Sequence, residues 1–404
     1  MSLHTEEILR RTFAEISLDN LRDNVRALKG LVPKKFFFCP MIKSNGYGHG
    51  DIEVMQVLQE EGVTQVGVAL VEEGIHLRQN GFRHVDILVF GITGQHGERS
   101  MIEHNLTPVI SSFHQIKELA SLVPKEKSPY GVHIKFNTGM NRLGFEADEV
   151  KKVTDMLKEY PHLEVKGVCS HLSDGEDASF LDGRSSVQFR IFQKIATHFP
   201  KNVGLHIHNS AGFLGSVATN DQCWGKSLNV SPHLKWGVRP GIALYGVYPS
   251  LSPQDLAQLE VQGVRLKPCM VLKSEVVKYH RLKRGQRVSY GGTWEAQRES
   301  VIGVVPIGYA DGFGRNFSNK GQMLFRERRV PVVGTVCMDY VMIDLTEVLG
   351  DNFGSVGEEV VLFGKQGAAE LSVDEVAKTA DTIPYELLTC IGRRVPRQYV
   401  TGSI

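Results

Sequence analysis

Short apolar runs alternate with amphipathic stretches from about residue 35 to 247. The runs are FFFCPMI (36–42), TQVGVAL (64–70), VDILVFG (85–91), LTPVIS (106–111), YGVHIKF (130–136), VKGVCSH (165–171), GLHIHN (204–209) and GIALYGV (241–247). Strands buried on both faces read as continuous apolar runs, whereas half-exposed antiparallel strands alternate. The stretches between them carry helical spacing. Ile52, Met55 and Leu58 share a face, as do Phe113, Ile116 and Leu119, and Val150, Val153 and Leu157. Eight such runs with helices between them predict an α/β fold, a (β/α)8 barrel of the TIM type. An open doubly wound sheet is the alternative.

The pattern changes after about residue 250. VLKSEVVKYHRL, RVSYGG, ESVIGVVPIG, VPVVGTVCMDYVMIDL and EEVVLFG are β-branched, partly alternating and separated by Gly, Asn and Lys-Arg-Gly turns. They predict a mainly antiparallel β domain. TFAEISL (12–18) is also strand-like and precedes the barrel. The expected division is a barrel over 18–250 and a β domain over 251–404 that recruits the N-terminal strand within 1–17.

Composition narrows the partners. In 404 residues, 46 Lys and Arg stand against 45 Asp and Glu, a formal net charge of +1. That balance argues against nucleic acid or an anionic membrane as the main partner. No apolar run approaches the ~18 residues of a membrane span, and the N-terminus lacks a signal-peptide core. Cys39, Cys169, Cys223, Cys269, Cys337 and Cys390 are scattered without a CxxC. Scattered cysteines suggest reduced thiols and a cytoplasmic location, with no zinc site.

In a barrel, chemistry collects where strands end at the C-terminal mouth, and phosphate often sits after strands 7 and 8. Strand 1 runs into Lys43, with Tyr47 just beyond. Strand 5 runs into KFNTGMNRLGF, which holds Lys135 and Arg142. Strand 6 ends in His171 and strand 7 in Asn209-Ser210. Arg239 precedes strand 8, with Gly241 and Ile242 at its start. The plainer reading of His206 and His208 is that they fill the core.

Two nucleotide signatures fail. Gly225-Lys226-Ser227 resembles the end of a Walker loop, but Asn220 stands where its first glycine belongs. The glycines of PMIKSNGYGHG (40–50) have GxGxG spacing, without the GxxG half of a dinucleotide fingerprint. A lysine at the end of a buried strand fits other chemistry. Desolvation disfavours its ammonium and makes the amine nucleophilic, as a Schiff-base lysine requires. With a phosphate site nearby, that suggests pyridoxal 5′-phosphate (PLP).

PMIKSNGYGHG resembles the PLP-lysine motif of the alanine racemase family. The resemblance continues in order through KFNTGMNRLGF, SHLSDGE, HNSAG, VRPGIALYG, RVSYGGTW, PIGYADG, VGTVCMDY and DTIPYELLTCIGRRVPR. It implies a PLP-binding barrel plus a C-terminal β domain, in a head-to-tail homodimer with shared active sites. It implies alanine as substrate and D-alanine for cell-wall peptidoglycan as the product used.

By the same resemblance, Lys43 carries the cofactor, and Tyr47, Asn209, Ser210, Gly241, Ile242 and Tyr385 surround its phosphate. Arg239 faces the pyridine nitrogen, where most PLP enzymes place a carboxylate. An arginine cannot take that proton. Lys43 and Tyr290 are implied as two catalytic bases on opposite faces of Cα, with His171 linking Tyr290 to Arg239. Arg142 and Met338 are implied substrate contacts, and Arg142 also touches the cofactor. Lys135 matches a lysine often carbamylated in the family, and Tyr309 and Asp339 lie near the inner access to the site.

Three positions depart from the family. Asn137 stands where Asp is usual, Thr335 where the access corridor often has Arg, and Glu176 near another corridor acid. Rival readings are a broad-range racemase, a PLP decarboxylase with an acid in place of Arg239, and a non-catalytic PLP-binding protein without the β domain.

Overall fold

The structure is a computed structural model. It describes residues 10–33, 36–175, 183–219, 235–350, 352–402 and 404. Glu176, Cys223 and Gly225-Lys226-Ser227 lie outside the described residues. By contacts the chain forms two compact units. One comprises Arg22–Gly46 and Asp51–Leu266; the other comprises Met1–Leu21, Tyr47–Gly50 and Lys267–Ile404.

The first unit is an eight-stranded parallel barrel. After β1 (Phe13–Ser17), which belongs to the other unit, its strands are β2 (Phe37–Phe38), β3 (Gln65–Val68), β4 (Asp86–Val89) and β5 (Thr107–Ile110). They continue with β6 (Tyr130–Lys135), β7 (Leu163–Cys169), β8 (Gly204–His208) and β9 (Lys235–Val238). Neighbours pair in the order β2-β9-β8-β7-β6-β5-β4-β3. A parallel bridge from Met41 to Gly67 joins the two ends.

The apolar runs are continuous because both strand faces are covered. Cys39, Leu88, Val109 and Cys169 pack inside the barrel with Phe37 and Phe90. Outside, Ile134, Val168, Leu205 and Trp236 join a larger cluster with helical Phe189 and Phe192. Trp236 stacks on Phe189 at 5.2 Å between centroids.

The predicted eighth strand needs correction. GIALYGV is not a strand: Ile242–Tyr245 form a 3-10 turn closed by left-handed Gly246. The eighth strand is Lys235–Val238, so Arg239 follows that strand rather than preceding it. The first run also pairs less than expected. Phe37–Phe38 pairs with Gly237 and Val238, Met41 adds the single bridge to Gly67, and Lys43 lies five residues beyond the strand.

Among the described residues, the second unit is built from antiparallel pairs with one exception. Its largest sheet orders Arg328–Pro331, Gln322–Phe325, Glu359–Gln366, Met270–Glu275, β1 and Arg397–Val400. Ala369–Leu371 adds to the Glu359–Gln366 strand. β1 runs antiparallel to Met270–Glu275 and parallel to Arg397–Val400. Lys278–Leu282, Ser300–Val305 and Val341–Asp344 form a smaller sheet.

Candidate active site

Past β2 the chain makes a left-handed turn. Ser44, Asn45, Gly46, Tyr47 and Gly48 have φ of 53°, 54°, 58°, 52° and 85°. For residues with a Cβ this costs roughly 1–2 kcal/mol each, so bonds around the turn must hold it. Ser44 N–H donates to Glu73 Oε1 at 2.6 Å. Asn45 Oδ1 accepts from Asp51 N–H at 3.1 Å. The other carboxylate oxygen of Glu73 accepts from the N–H groups of Ala69 and Leu70. Glu73 thereby ties the Lys43 turn to the loop after β3.

Half-buried Lys43 has its ammonium disfavoured, first by burial and then by Arg142, against the opposing charge of Glu73. Burial likewise lowers Lys135, at the end of β6. The loop after Lys135 is pinned at its base, where Phe145 N–H donates to Lys135 O at 2.9 Å and Asn137 N–H to Phe145 O at 2.8 Å. Asn137 accounts for one departure from the family. Its Oδ1 accepts from Gly139 and Asn141 N–H, while its Nδ2 donates to Asn141 and to the Glu146 carboxylate. An aspartate would face Glu146 as a like charge. A small cavity, about 10 Å³, is lined by Lys135, Arg142, Ser170 and His171.

Arg239 is buried and, among the described residues, donates only to carbonyl and imidazole acceptors. Nη1 reaches His206 Nδ1 at 2.6 Å and His206 O at 2.8 Å. Nη2 reaches Ser170 O at 2.7 Å and His171 Nδ1 at 3.2 Å. Among the described residues no carboxylate is bonded to it. This bonding fixes the tautomers, since His206 Nδ1 and His171 Nδ1 must both accept. The His206 proton therefore sits on Nε2 and is donated to His133 Nδ1 at 2.7 Å. Burial and then Arg239 keep His206 and His171 well below the ordinary imidazole range. The arginine thus keeps a charge that its acceptors do not neutralise.

A cradle for an anion follows β8 and β9. Asn209 caps the helix Ser210–Ala218, its Oδ1 accepting from Gly212 N–H at 2.9 Å. Ser210 Oγ accepts from Gly241 N–H at 2.8 Å and from Ala243 N–H at 3.3 Å. The start of a helix and the start of the 3-10 turn therefore meet at one hydroxyl, which suits a phosphate. A Cβ on Gly175 would lie 2.7 Å from Asn209 Oδ1, so the backbone closes over the cradle. The corrected eighth strand is what puts Gly241 and Ile242 here.

The β unit holds the remaining residues. Tyr385 lies in the first turn of the helix Pro384–Thr389, and its ring lies 6.2 Å from that of buried Tyr47. Tyr47's turn is gripped there. Arg397 Nε donates to Gly48 O at 2.9 Å, and a Cβ on Gly48 would lie 2.1 Å from Leu388 O. Tyr290, Tyr309 and Met338 are 73%, 44% and 50% exposed, so their faces are available to other groups. Tyr309 N–H donates to Cys337 O and Ala310 N–H to Met338 O, both at 3.1 Å. Asp339 accepts from Arg394 at 2.7 Å.

The barrel unit thus gathers Lys43, Lys135, Arg142, His171 and Arg239 at one end of the strands, beside Asn209, Ser210, Gly241 and Ile242. The β unit gathers Tyr47 with Tyr385, and Tyr309 with Met338 and Asp339. Sequence reasoning missed Glu73, His133 and Ser170, and took His206 as core filler. The alternating HIHN was the one available signal for His206.

Residues 16–249 match the sequence profile described as alanine racemase, N-terminal domain, and residues 269–399 that of the C-terminal domain. The chain is 38% identical to the alanine racemase of Sorangium cellulosum, over 97% of this chain and 99% of the relative. It is 35% identical to that of Clostridium novyi, over 98% and 97%. Among solved structures, alanine racemase from E. faecalis superposes with a TM-score of 0.83 at 29% identity, covering 97% of this chain and 98% of that one. Alanine racemase from Bartonella henselae with covalently bound pyridoxal phosphate gives 0.82 at 27%, covering 96% and 99%.

Proposed function

The chain belongs to the alanine racemase family and is a PLP-dependent isomerase that interconverts L- and D-alanine, and we propose that Lys43 and Tyr290 are the two groups that carry the proton. The bonding of Arg239 carries this reading. A buried guanidinium with only neutral acceptors cannot receive a proton, which sets this site apart from one built around a carboxylate.

The residues present fit the cofactor. Lys43 would supply the amine for its aldehyde, and Asn209, Ser210, Gly241 and Ile242, with Tyr47 and Tyr385, would hold its phosphate. When bound, PLP withdraws electrons from the amino acid and acidifies the proton on Cα. Lys43 Nζ, its ammonium already disfavoured by burial, takes or returns that proton on one face. Tyr290 Oη does the same on the other. Two groups on opposite faces invert the centre without turning the substrate over. Arg142 and Met338 orient the alanine carboxylate, His171 connects Arg239 to the tyrosine, and Tyr309 and Asp339 flank the access path.

Lys135 orients Arg142, and its disfavoured ammonium suits carbamylation. A native mass showing Lys135 unmodified would remove that detail. Tyr290, Tyr309 and Met338 stand exposed on the β unit, which favours a head-to-tail homodimer where they complete the partner's site. Among the described residues no helix is long and apolar enough to cross a membrane. We place the enzyme in the cytoplasm, supplying D-alanine for peptidoglycan.

The test of the two-base reading is Tyr290→Phe. The expected result is loss of racemisation by at least about a hundredfold, with the visible absorbance of the lysine-bound cofactor retained. Near-normal turnover in both directions would remove Tyr290 from the mechanism.

A further inference from the structure

The residue before Tyr290 is in an unusual backbone state. Ser289 has φ 65° and ψ −175°, a region populated almost solely by glycine. Such strain persists only where the surroundings over-determine it. Here two hydroxyls do so reciprocally. Ser289 Oγ donates to Thr335 O at 2.6 Å, and Thr335 Oγ1 donates to Tyr290 O at 2.9 Å.

The Thr335 side is itself braced. Thr335 Oγ1 lies 3.4 Å from Thr293 Oγ1, which accepts from Asn319 Nδ2 at 3.0 Å. Asn319 Oδ1 accepts from Gly334 N–H at 2.6 Å. The two loops approach so closely that a Cβ on Gly334 would lie 2.9 Å from Ser289 Cβ, and Gly334 has φ +77°. Thr335 is buried, whereas the Tyr290 ring is 73% exposed. An exposed ring has little packing in its own unit to orient it, so its aim is set through its backbone.

We propose that Ser289 and Thr335 form a reciprocal hydroxyl latch that aims Tyr290 for proton transfer, with Thr335 its positioning residue. The proposal rests on Tyr290 being a base. It gives a role to one departure from the family, since the hydroxyl at position 335 bonds the Tyr290 carbonyl at 2.9 Å. The latch also couples Tyr290 to the loop carrying Met338, so the tyrosine and the substrate contact move together.

The test uses the PLP-loaded enzyme with Thr335→Val, Thr335→Ser and Ser289→Gly. Kinetics are measured in both directions with ordinary and Cα-deuterated alanine, beside thermal midpoints. Valine keeps the shape and loses the donor. It is expected to lower kcat about tenfold or more with little change in KM, and to raise the deuterium effect where Tyr290 takes the proton. Serine is expected to restore most of that loss. Ser289→Gly accepts the backbone angle without strain but lacks the hydroxyl, so it should fold at least as stably and still lose kcat.

The proposal fails if Thr335→Val turns over like the wild type, if Thr335→Ser loses as much as valine, or if the isotope effect does not move. Full activity in Ser289→Gly would also overturn it. Should Tyr290→Phe keep its turnover, the base reading falls and takes the latch with it. An inactive Tyr290→Phe beside a fully active Thr335→Val sinks the latch alone.

Discussion

At residue scale the site depends on which acceptors surround each charge. Arg239 bonds imidazoles and carbonyls, which do not neutralise its guanidinium, and burial followed by Arg142 disfavours the Lys43 ammonium. These partners come from separate strands, so no local spacing revealed them. The identities of Lys43 and Arg239 were legible in the motifs. The roles of His206, His133 and Glu73 were not, because a buried polar partner looks like any other core position until its neighbour is known. Asn137 offers a test at this scale. Asn137→Asp places a second carboxylate beside Glu146 and removes the amide donor that now bonds it. The Arg142 loop should loosen. The expected outcome is a several-fold rise in KM for alanine near neutral pH, consistent with a like-charge contact worth about 1 kcal/mol. Steady-state kinetics checks it, and an unchanged KM would show that the loop does not depend on this pair.

At the scale of elements, the barrel was legible because strands covered on both faces read as unbroken apolar runs. The eighth strand was misplaced for two reasons. GIALYGV is apolar because it is buried, which says nothing about strand or turn. The true strand, Lys235–Val238, is only four residues long, and its Gly237 weakens the strand signal. That glycine is there because a Cβ would come within 2.4 Å of the Phe37 ring. The turn after Lys43 is not the work of its glycines alone, since Ser44, Asn45 and Tyr47 share its left-handed form. Gly48 is the position where no side chain fits, 2.1 Å from Leu388 O and at φ +85°. Gly48→Ala is expected to cost at least about 2 kcal/mol and to weaken retention of PLP by displacing Tyr47. Thermal unfolding and cofactor titration measure both effects, and an unshifted midpoint would contradict the role given to this glycine.

At the scale of the whole molecule, four buried barrel histidines, His133, His171, His206 and His208, are held neutral. Burial and then Arg239 hold His133 down at about 3 and His208 at about 4, against 6.5 in a free side chain. The unfolded chain therefore binds more protons than the folded one between those values and about 6.5. Stability is fully present above about pH 6.5 and is lost as pH falls toward 4. Between pH 7.5 and 5 each of the two histidines should remove about 2 kcal/mol. Chemical denaturation across that range should show a falling stability, with a smaller fall in His208→Gln; a flat profile would contradict the neutral assignment. The central claim, racemisation of alanine by proton exchange at Cα, is tested most directly by incubating the purified PLP-loaded enzyme with L-alanine in deuterium oxide and following chirality and mass. The expected result is D-alanine accumulating until the enantiomers are equal, with one deuterium at Cα of the product. Retention of pure, unlabelled L-alanine would contradict it.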